Sequence, residues 1–522
     1  MHFSGGRSVL GHIVAAAVMA GLFFTGANAQ VYVSQNGNNT TGDSWDTALY
    51  SIFDAVTKAH EAGKDVWIAE GVYGLASAVN VPSNMNLYGG FPATGNPGMD
   101  QRDPSLHVTT LDGHYAAGNL IVCMDVSNVR VDGLNLVRAI GQDTGYCAGG
   151  AMSVNGYSHN VAVANCTFSD NKAPDYRFGG GLNICYSDAT VTRCAFNYNS
   201  SGSGPGGIMM YNGTATVTDC VFKGNVGGGC GGGIGTYGST LTVDRCAFLD
   251  NYAYCGGGLD SGDGAQTIVT NSLFVRNKAS NYAGALEFNS VRKVVVANCT
   301  IVGSTASQIP GGLHINGSGN SSVLNCIFAG NSLYAFNFNG SGTVPITNCL
   351  FYKNNDGVCW ESDRSMGAIL SVNGSNGLNT VIPGAANNIE GDPLFADPAG
   401  ENYHLLAESP CINAATATGA PAFDFDGEAR PSPGRGVDIG FDQLVDLDGD
   451  GMPDWWESVR GLNNDTDDAN ADPDKDELTN GREYLHSCDP NAADTDGDGY
   501  PDGEAVAKRI NPHQLLRAPV FV

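Results

Sequence analysis

Carboxylates at short, regular intervals crowd the end of this chain. Asp446, Asp448, Asp450, Asp454 and Glu457 stand at positions 1, 3, 5, 9 and 12 of one window, with Gly451 at position 6. Acids so close repel one another unless a cation sits among them. Glycine permits a sharp turn at that point, and the final Glu can bind an ion through both oxygens. A second window holds Asp472, Asp474, Asp476, Asn480 and Glu483, but Glu477 replaces the glycine. A third holds Asp494, Asp496, Asp498 and Asp502, with Ala505 at position 12 and Glu504 one place early. Hard oxygen donors select Ca²⁺ over Zn²⁺. The second and third windows should therefore bind more weakly or with altered coordination. Residues 444–522 carry 19 acids and 6 bases, a net charge of -13.

A second constellation emerges when the chain is aligned on itself. Cys166, Cys194, Cys220, Cys246, Cys299, Cys326 and Cys349, with Ser272 filling one place, recur about every 26 residues. Two residues after each comes Phe or Ile, and Asn follows at Asn171, Asn199, Asn225, Asn251, Asn277, Asn331 and Asn354, with Ser304 the exception. Glycine pairs open many of the units. No 3.6-residue stripe runs through them, so they are short strands and turns rather than helices. Such a unit cannot bury its own apolar face and must stack on its neighbours. That predicts an all-β solenoid, a single-stranded parallel β-helix with equivalent residues about 4.8 Å apart on successive rungs. Cys and Phe columns should fill the core. The Asn column should ladder through its amides at a turn.

Strand alternation places the residue after each inward aliphatic on the outside. Asp260, Glu287 and His314 then fall on three adjacent rungs. Two carboxylates about 5–5.5 Å apart are the arrangement of a retaining glycosidase, one acid/base and one nucleophile. Two places on, Tyr211, Tyr237, Asn289 and Asn316 line the same face, and the tyrosines suit stacking on sugar rings. The column has no Lys or Arg to act as a lyase base. Cys230 and Cys255 lie on neighbouring turns and are the best candidates for a disulfide. The other cysteines read as small core hydrophobes.

The 522-residue chain has 72 glycines, 15 cysteines and a net charge of -28. That balance excludes a nucleic-acid partner, which needs clustered Lys and Arg. It also makes an acidic polysaccharide a poor ligand unless calcium bridges it. Residues 1–29 read as a secretory signal, with Arg7, a short apolar run and Ala27-Asn28-Ala29 before the cut. No later stretch is apolar enough to span a bilayer. The protein is expected outside the cell or at its surface, as a monomer. No P-loop, G-x-S-x-G or zinc-spaced Cys/His set is present.

The paired Gly-Gly-x-[ILM] and Phe-x-x-Asn motifs resemble polymorphic outer membrane protein repeats. The whole pattern resembles the pectate-lyase-like right-handed β-helix superfamily. Leu87-Tyr88-Gly89-Gly90-Phe91, Gln101-Arg102-Asp103-Pro104 and a helix near Ala48–Ala62 resemble the capped N-terminal rungs of secreted members. Asp392-Pro393-Leu394-Phe395, Tyr403-His404-Leu405 and Ser409-Pro410-Cys411-Ile412 resemble closing rungs. Asp424, Asp426, Gly427, Arg430 and Asp438-Ile439-Gly440 match the segment called choice-of-anchor Q. The acidic windows resemble thrombospondin type 3 and dockerin-like calcium repeats. The resemblance implies a right-handed β-helix over 30–443 (cap 30–115, core rungs 116–360, closing rungs 361–443) and a calcium module over 444–522. It is specific for fold and weak for activity, because this fold hosts enzymes, adhesins and binding proteins. Two functions remain open: binding of a polysaccharide or cell-surface partner, or polysaccharide degradation by lyase or hydrolase chemistry through Asp260, Glu287 and His314.

Overall fold

Residues preceding the core cysteines set the shape of every rung. Asn165, Arg193, Asp219, Arg245, Asn271, Asn298, Asn325 and Asn348 all take left-handed backbone, with φ from 45° to 55°. Asn and Asp tolerate that region because their short polar side chains bond locally. The turn sends the next residue inward, so each Cys and each Phe two places later meets its counterpart above and below. In the computed structural model, which describes residues 30–508 except 116–117, 142–148, 174–177, 309, 318–319, 340–343, 356, 364–367, 373–378, 380–384, 432–434, 487 and 498, the chain winds as a parallel β-solenoid. The signal segment expected over 1–29 lies outside the described residues, as does Asp498.

Three sheets of twelve strands run the length of the coil, and a fourth of six strands lines one corner. Apart from one antiparallel hairpin at the end of one long sheet, these four sheets pair in parallel. Phe168, Phe196, Phe222, Phe248 and Phe274 stack with ring centroids 4.5–4.9 Å apart and planes within 5° of parallel. Beside them Cys166, Cys194, Cys220, Cys246, Cys299, Cys326 and Cys349 are buried free thiols. The Asn ladder is enclosed from Asn171 to Asn331. Asn199 donates through Nδ2 to Asn225 Oδ1 at 3.0 Å, and Asn225 donates likewise to Asn251 at 2.9 Å. Each amide also reaches back to a carbonyl one rung away, as Asn225 does to Phe196 O at 2.7 Å. Turn backbone that would otherwise be unsatisfied in the core is thereby paired.

The N-terminal end is closed by helix α1 (Ile52–Ala62). Ser51 accepts from Asp54 N at its start, and Gly63 in left-handed backbone ends it. Ile52, Ala55, Val56 and Ala59 cover the first rungs. Nearby, Arg102 and Arg130 both grip the buried Asp132, at 2.5 Å each.

The opposite end departs from the expected closing rungs. Ile389–Glu390 still pairs with the coil. The chain from 392 to 445 then folds back along the outside of the solenoid. Tyr403, Phe425 and Phe441 pack on Val221, Ala247, Leu249, Leu273 and Val275, which point outward from the Phe-bearing sheet. Glu401 bonds Lys223 at 3.4 Å and also bonds Arg276. Outward positions at these rungs are apolar because they are covered, and that is why this stretch cannot be another coil. Three short helices follow: α2 (Asp454–Arg460), α3 (Asn480–His486) and α4 (Asp502–Ala507). Met452, Trp455, Trp456 and Tyr484 make a small separate core against Ala396 and Leu406 of the fold-back segment.

Candidate functional site

Asp260, Glu287 and His314 do occupy one column, paired in register on adjacent strands. They are not on an open groove. Asp260 and Glu287 are each 3% exposed and His314 8%. For Asp260 the cover is the turn before its strand. At Gly256 (φ 58°) the backbone reverses so closely that a Cβ there would lie 2.9 Å from the Asp260 Cβ. On the next rung Ala283 takes the same left-handed turn, with φ 49°. His314 Nδ1 sits 2.9 Å from both Glu287 oxygens, a buried pair. Asp260 has no such partner. Burial, then the charge of Glu287, pushes its carboxyl well above the usual range. The trio is thus a lined-up but enclosed set.

Cys230 and Cys255 face each other across adjacent rungs in a parallel bridge, yet both are free thiols. The expected bridge between them is not formed. Among the described residues, Cys185, covered by the reading of the other cysteines as core hydrophobes, is instead engaged in a disulfide. Spacing alone did not single it out.

Exposure lies instead at the corner where this sheet ends. Tyr157 and Tyr186 stand 5.8 Å apart between ring centroids, and Tyr186 meets Tyr211 edge-on at 5.4 Å. Tyr211 pairs in register with Tyr237. Tyr157 is 70% exposed and Tyr186 37%. The left-handed turns at Tyr157 and Tyr186 (φ 62° and 51°) turn these side chains outward. The result is a ridge over four rungs, roughly 14 Å at about 4.8 Å per rung. Beyond Gly262, Asn316 donates to Asn289 at 3.1 Å on the same face. Sequence reasoning found Tyr211 and Tyr237 but missed Tyr157 and Tyr186, which lie at the turn and outside the strand alternation.

The acidic module brings its carboxylates together as two composite sites. Asp446, Asp448 and Asp450 converge, and Asp450 also meets Glu457 and Asp468. Asp472, Asp474 and Asp476 converge, and Asp476 meets Glu483 and Asp502. Glu457 and Glu483 are wholly buried, and all four of their oxygens lack a hydrogen-bond partner. Both oxygens of Asp474 are in the same state. Burial, then neighbouring carboxylates, push Glu457 up to about 8 and Glu483 to about 9. Orphaned buried carboxylates of this kind are costly unless a cation joins them. Oxygen donors alone fit a hard divalent ion such as Ca²⁺. Asp502, read as part of the third window, stands with the second. Asp454 turns back to accept from Leu447 N at 2.9 Å, and Asn480 donates to Asp468. Asp494 accepts from Gly497 N and Gly499 N, closing the third turn. Asp468 lies outside every twelve-residue window and had no sequence signal.

Residues 232–391 match the family model described as a right handed beta helix region. The coil is thus a right-handed parallel β-helix. Among solved structures, the chain is similar to pectate lyase Pel9A (13% identity, 80% of this chain and 97% of that one, TM-score 0.39). It is also similar to PfbA, a surface adhesin of Streptococcus pneumoniae (13% identity, 62% and 93%, TM-score 0.37). A third is a family 28 exopolygalacturonase of Yersinia enterocolitica (12% identity, 59% and 74%, TM-score 0.34). No curated protein matches the sequence. Among the described residues, no helix is long and apolar enough to cross a membrane.

Proposed function

We propose that this is a secreted or cell-surface β-helix that binds a polysaccharide along the tyrosine ridge, with a C-terminal module held together by Ca²⁺. The observation that carries this reading is the run Tyr157–Tyr186–Tyr211–Tyr237 at one corner over four rungs, with Tyr157 and Tyr186 exposed and Tyr211 and Tyr237 half-buried. Aromatic rings at a fixed rise suit an extended glycan, whose sugar C–H groups pack on exposed rings such as Tyr157 and Tyr186. The Asn289–Asn316 pair offers amide donors and acceptors to hydroxyls farther along. A neutral glycan is favoured, because a chain of net charge -28 repels acidic ones. The hydrolase or lyase reading has less support, since Asp260, Glu287 and His314 are buried.

The test is affinity electrophoresis against a panel of neutral and acidic polysaccharides. Tyr157→Ala, Tyr186→Ala and Tyr211→Ala should each weaken binding of the retained glycan by roughly 2- to 12-fold, at about 0.5–1.5 kcal/mol per ring. Retention unchanged in the triple variant overturns the ridge. Oligosaccharide release that is lost on Asp260→Asn would establish the catalytic reading instead.

A further inference from the structure

Between the solenoid flank and the acidic module, the fold-back segment encloses a set of charges that neither of the readings above uses. His404 is buried there. Its Nδ1 lies 2.7 Å from Asn402 Oδ1, an oxygen that can only accept, so Nδ1 carries a proton. The same Asn402 oxygen accepts from His404 N at 3.1 Å, which holds the amide in place. Nε2 is therefore the nitrogen presented to Asp426, with Oδ2 at 2.9 Å. From the other side comes Asp442, with no exposed surface. Its Oδ2 accepts from Leu405 N at 2.8 Å, while Oδ1 is buried and has no hydrogen-bond partner. One ligand atom each of His404, Asp426 and Asp442 lies within 4.8 Å of the others.

More carboxyls stand around this set. Asp424 and Glu428 add two more carboxyls, and Glu428 Oε2 is also buried without a hydrogen-bond partner. Arg430 is the guanidinium at hand, but it directs its donors to the backbone carbonyls of Asp438, Gly440, Phe441 and Asp442. Above the cluster the Trp455 ring stacks on the His404 ring at 4.2 Å and 15°.

We propose that His404 Nε2, Asp426 and Asp442 are the ligands of a divalent transition-metal ion of the Mn²⁺ or Zn²⁺ class. The donor set decides the class. One imidazole nitrogen with carboxylate oxygens suits those ions, whereas the acidic loops offer oxygen only. Asn402 orients the imidazole through its other nitrogen, the usual device around a metal-bound histidine. The ion ties the strand that carries His404 and Leu405 to Asp426 and Asp442, later in the same fold-back segment. It sits beneath Trp455 of α2. The inference stands apart from the glycan reading.

Full-length protein, stripped with a chelator and then saturated with Ca²⁺ to fill the oxygen-only loops, is titrated separately with Co²⁺ and Mn²⁺. One further equivalent should bind. Co²⁺ should give a visible d–d band, and pulsed EPR of the Mn²⁺ form should show coupling to an imidazole nitrogen. His404→Gln should abolish the nitrogen coupling, and the near-isosteric Asp442→Asn should weaken binding by tenfold or more. Should His404→Gln fail to fold, Asp442→Asn and the wild-type nitrogen coupling still decide the matter. No extra equivalent over Ca²⁺-saturated protein overturns the proposal. So does binding without nitrogen coupling, or binding unchanged by Asp442→Asn.

Discussion

Asp260 shows how a residue in the expected place can have an unexpected environment. It lies in register with Glu287, but Gly256 folds over it and its carboxyl is driven well above the ordinary range by burial and then by Glu287. For an acid raised in this way the folded state favours the proton. Its contribution to stability is present below the ordinary carboxylate pKa and is lost as pH rises through the raised value. Asp260→Asn removes that ionisation while keeping the shape. Thermal unfolding followed by circular dichroism should therefore show the variant a few degrees more stable than wild type at pH 8. The two should converge near pH 4. Equal midpoints at both pH values would mean that Asp260 is solvated and that the column is open. Asp132 has the opposite sign. Burial raises its pKa, but Arg102 and Arg130 overcome this and lower it, so its contribution is lost only in acid.

At the scale of elements, the acidic loops and the short helices depend on one another. Glu457 lies in the first turn of α2 and Glu483 in that of α3, so each helix starts at a candidate cation site. Helices of this length do not persist alone in water. Trp456 and Tyr484, packed edge-on at 5.5 Å, join the two. Calcium removal should loosen both helices together and shift tryptophan emission to the red as Trp455 and Trp456 meet water. Glu457→Gln and Glu483→Gln should each weaken one class of Ca²⁺ site by tenfold or more, about 1.4 kcal/mol, measured by calorimetry. Neither variant changing the isotherm would refute calcium as the ion of this module.

For the molecule as a whole, the main question is what holds the fold-back segment on the solenoid. Phe441 is buried between the two, with Phe425 at 5.1 Å. Phe441→Ala should cost about 3–5 kcal/mol of that docking. Limited proteolysis should then cut within residues 392–445, while the far-ultraviolet signal of the rungs is retained. Rungs contact their neighbours and are stabilised locally, so loss of the flank need not unwind them. Simultaneous collapse of the β signal would show that solenoid and flank fold as one unit.

What could be read from the chain alone was whatever repeats. The Cys, Phe and Asn columns and the parallel register of Asp260 with Glu287 follow from a period of about 26 residues, because stacking makes each rung the environment of the next. The spaced acids of the tail were equally legible, since the ligands of a turn are close in sequence. Tertiary structure alone decided what is covered. The turn at Gly256 covers Asp260, the segment 392–445 lies on the flank rather than extending the coil, and Asp468, from outside every window, and Asp502, from the third, reach sites of other loops. His404, Asp426 and Asp442 meet only because that segment folds back. Contacts between non-repeating segments depend on the path of the backbone, and no local pattern encodes that path.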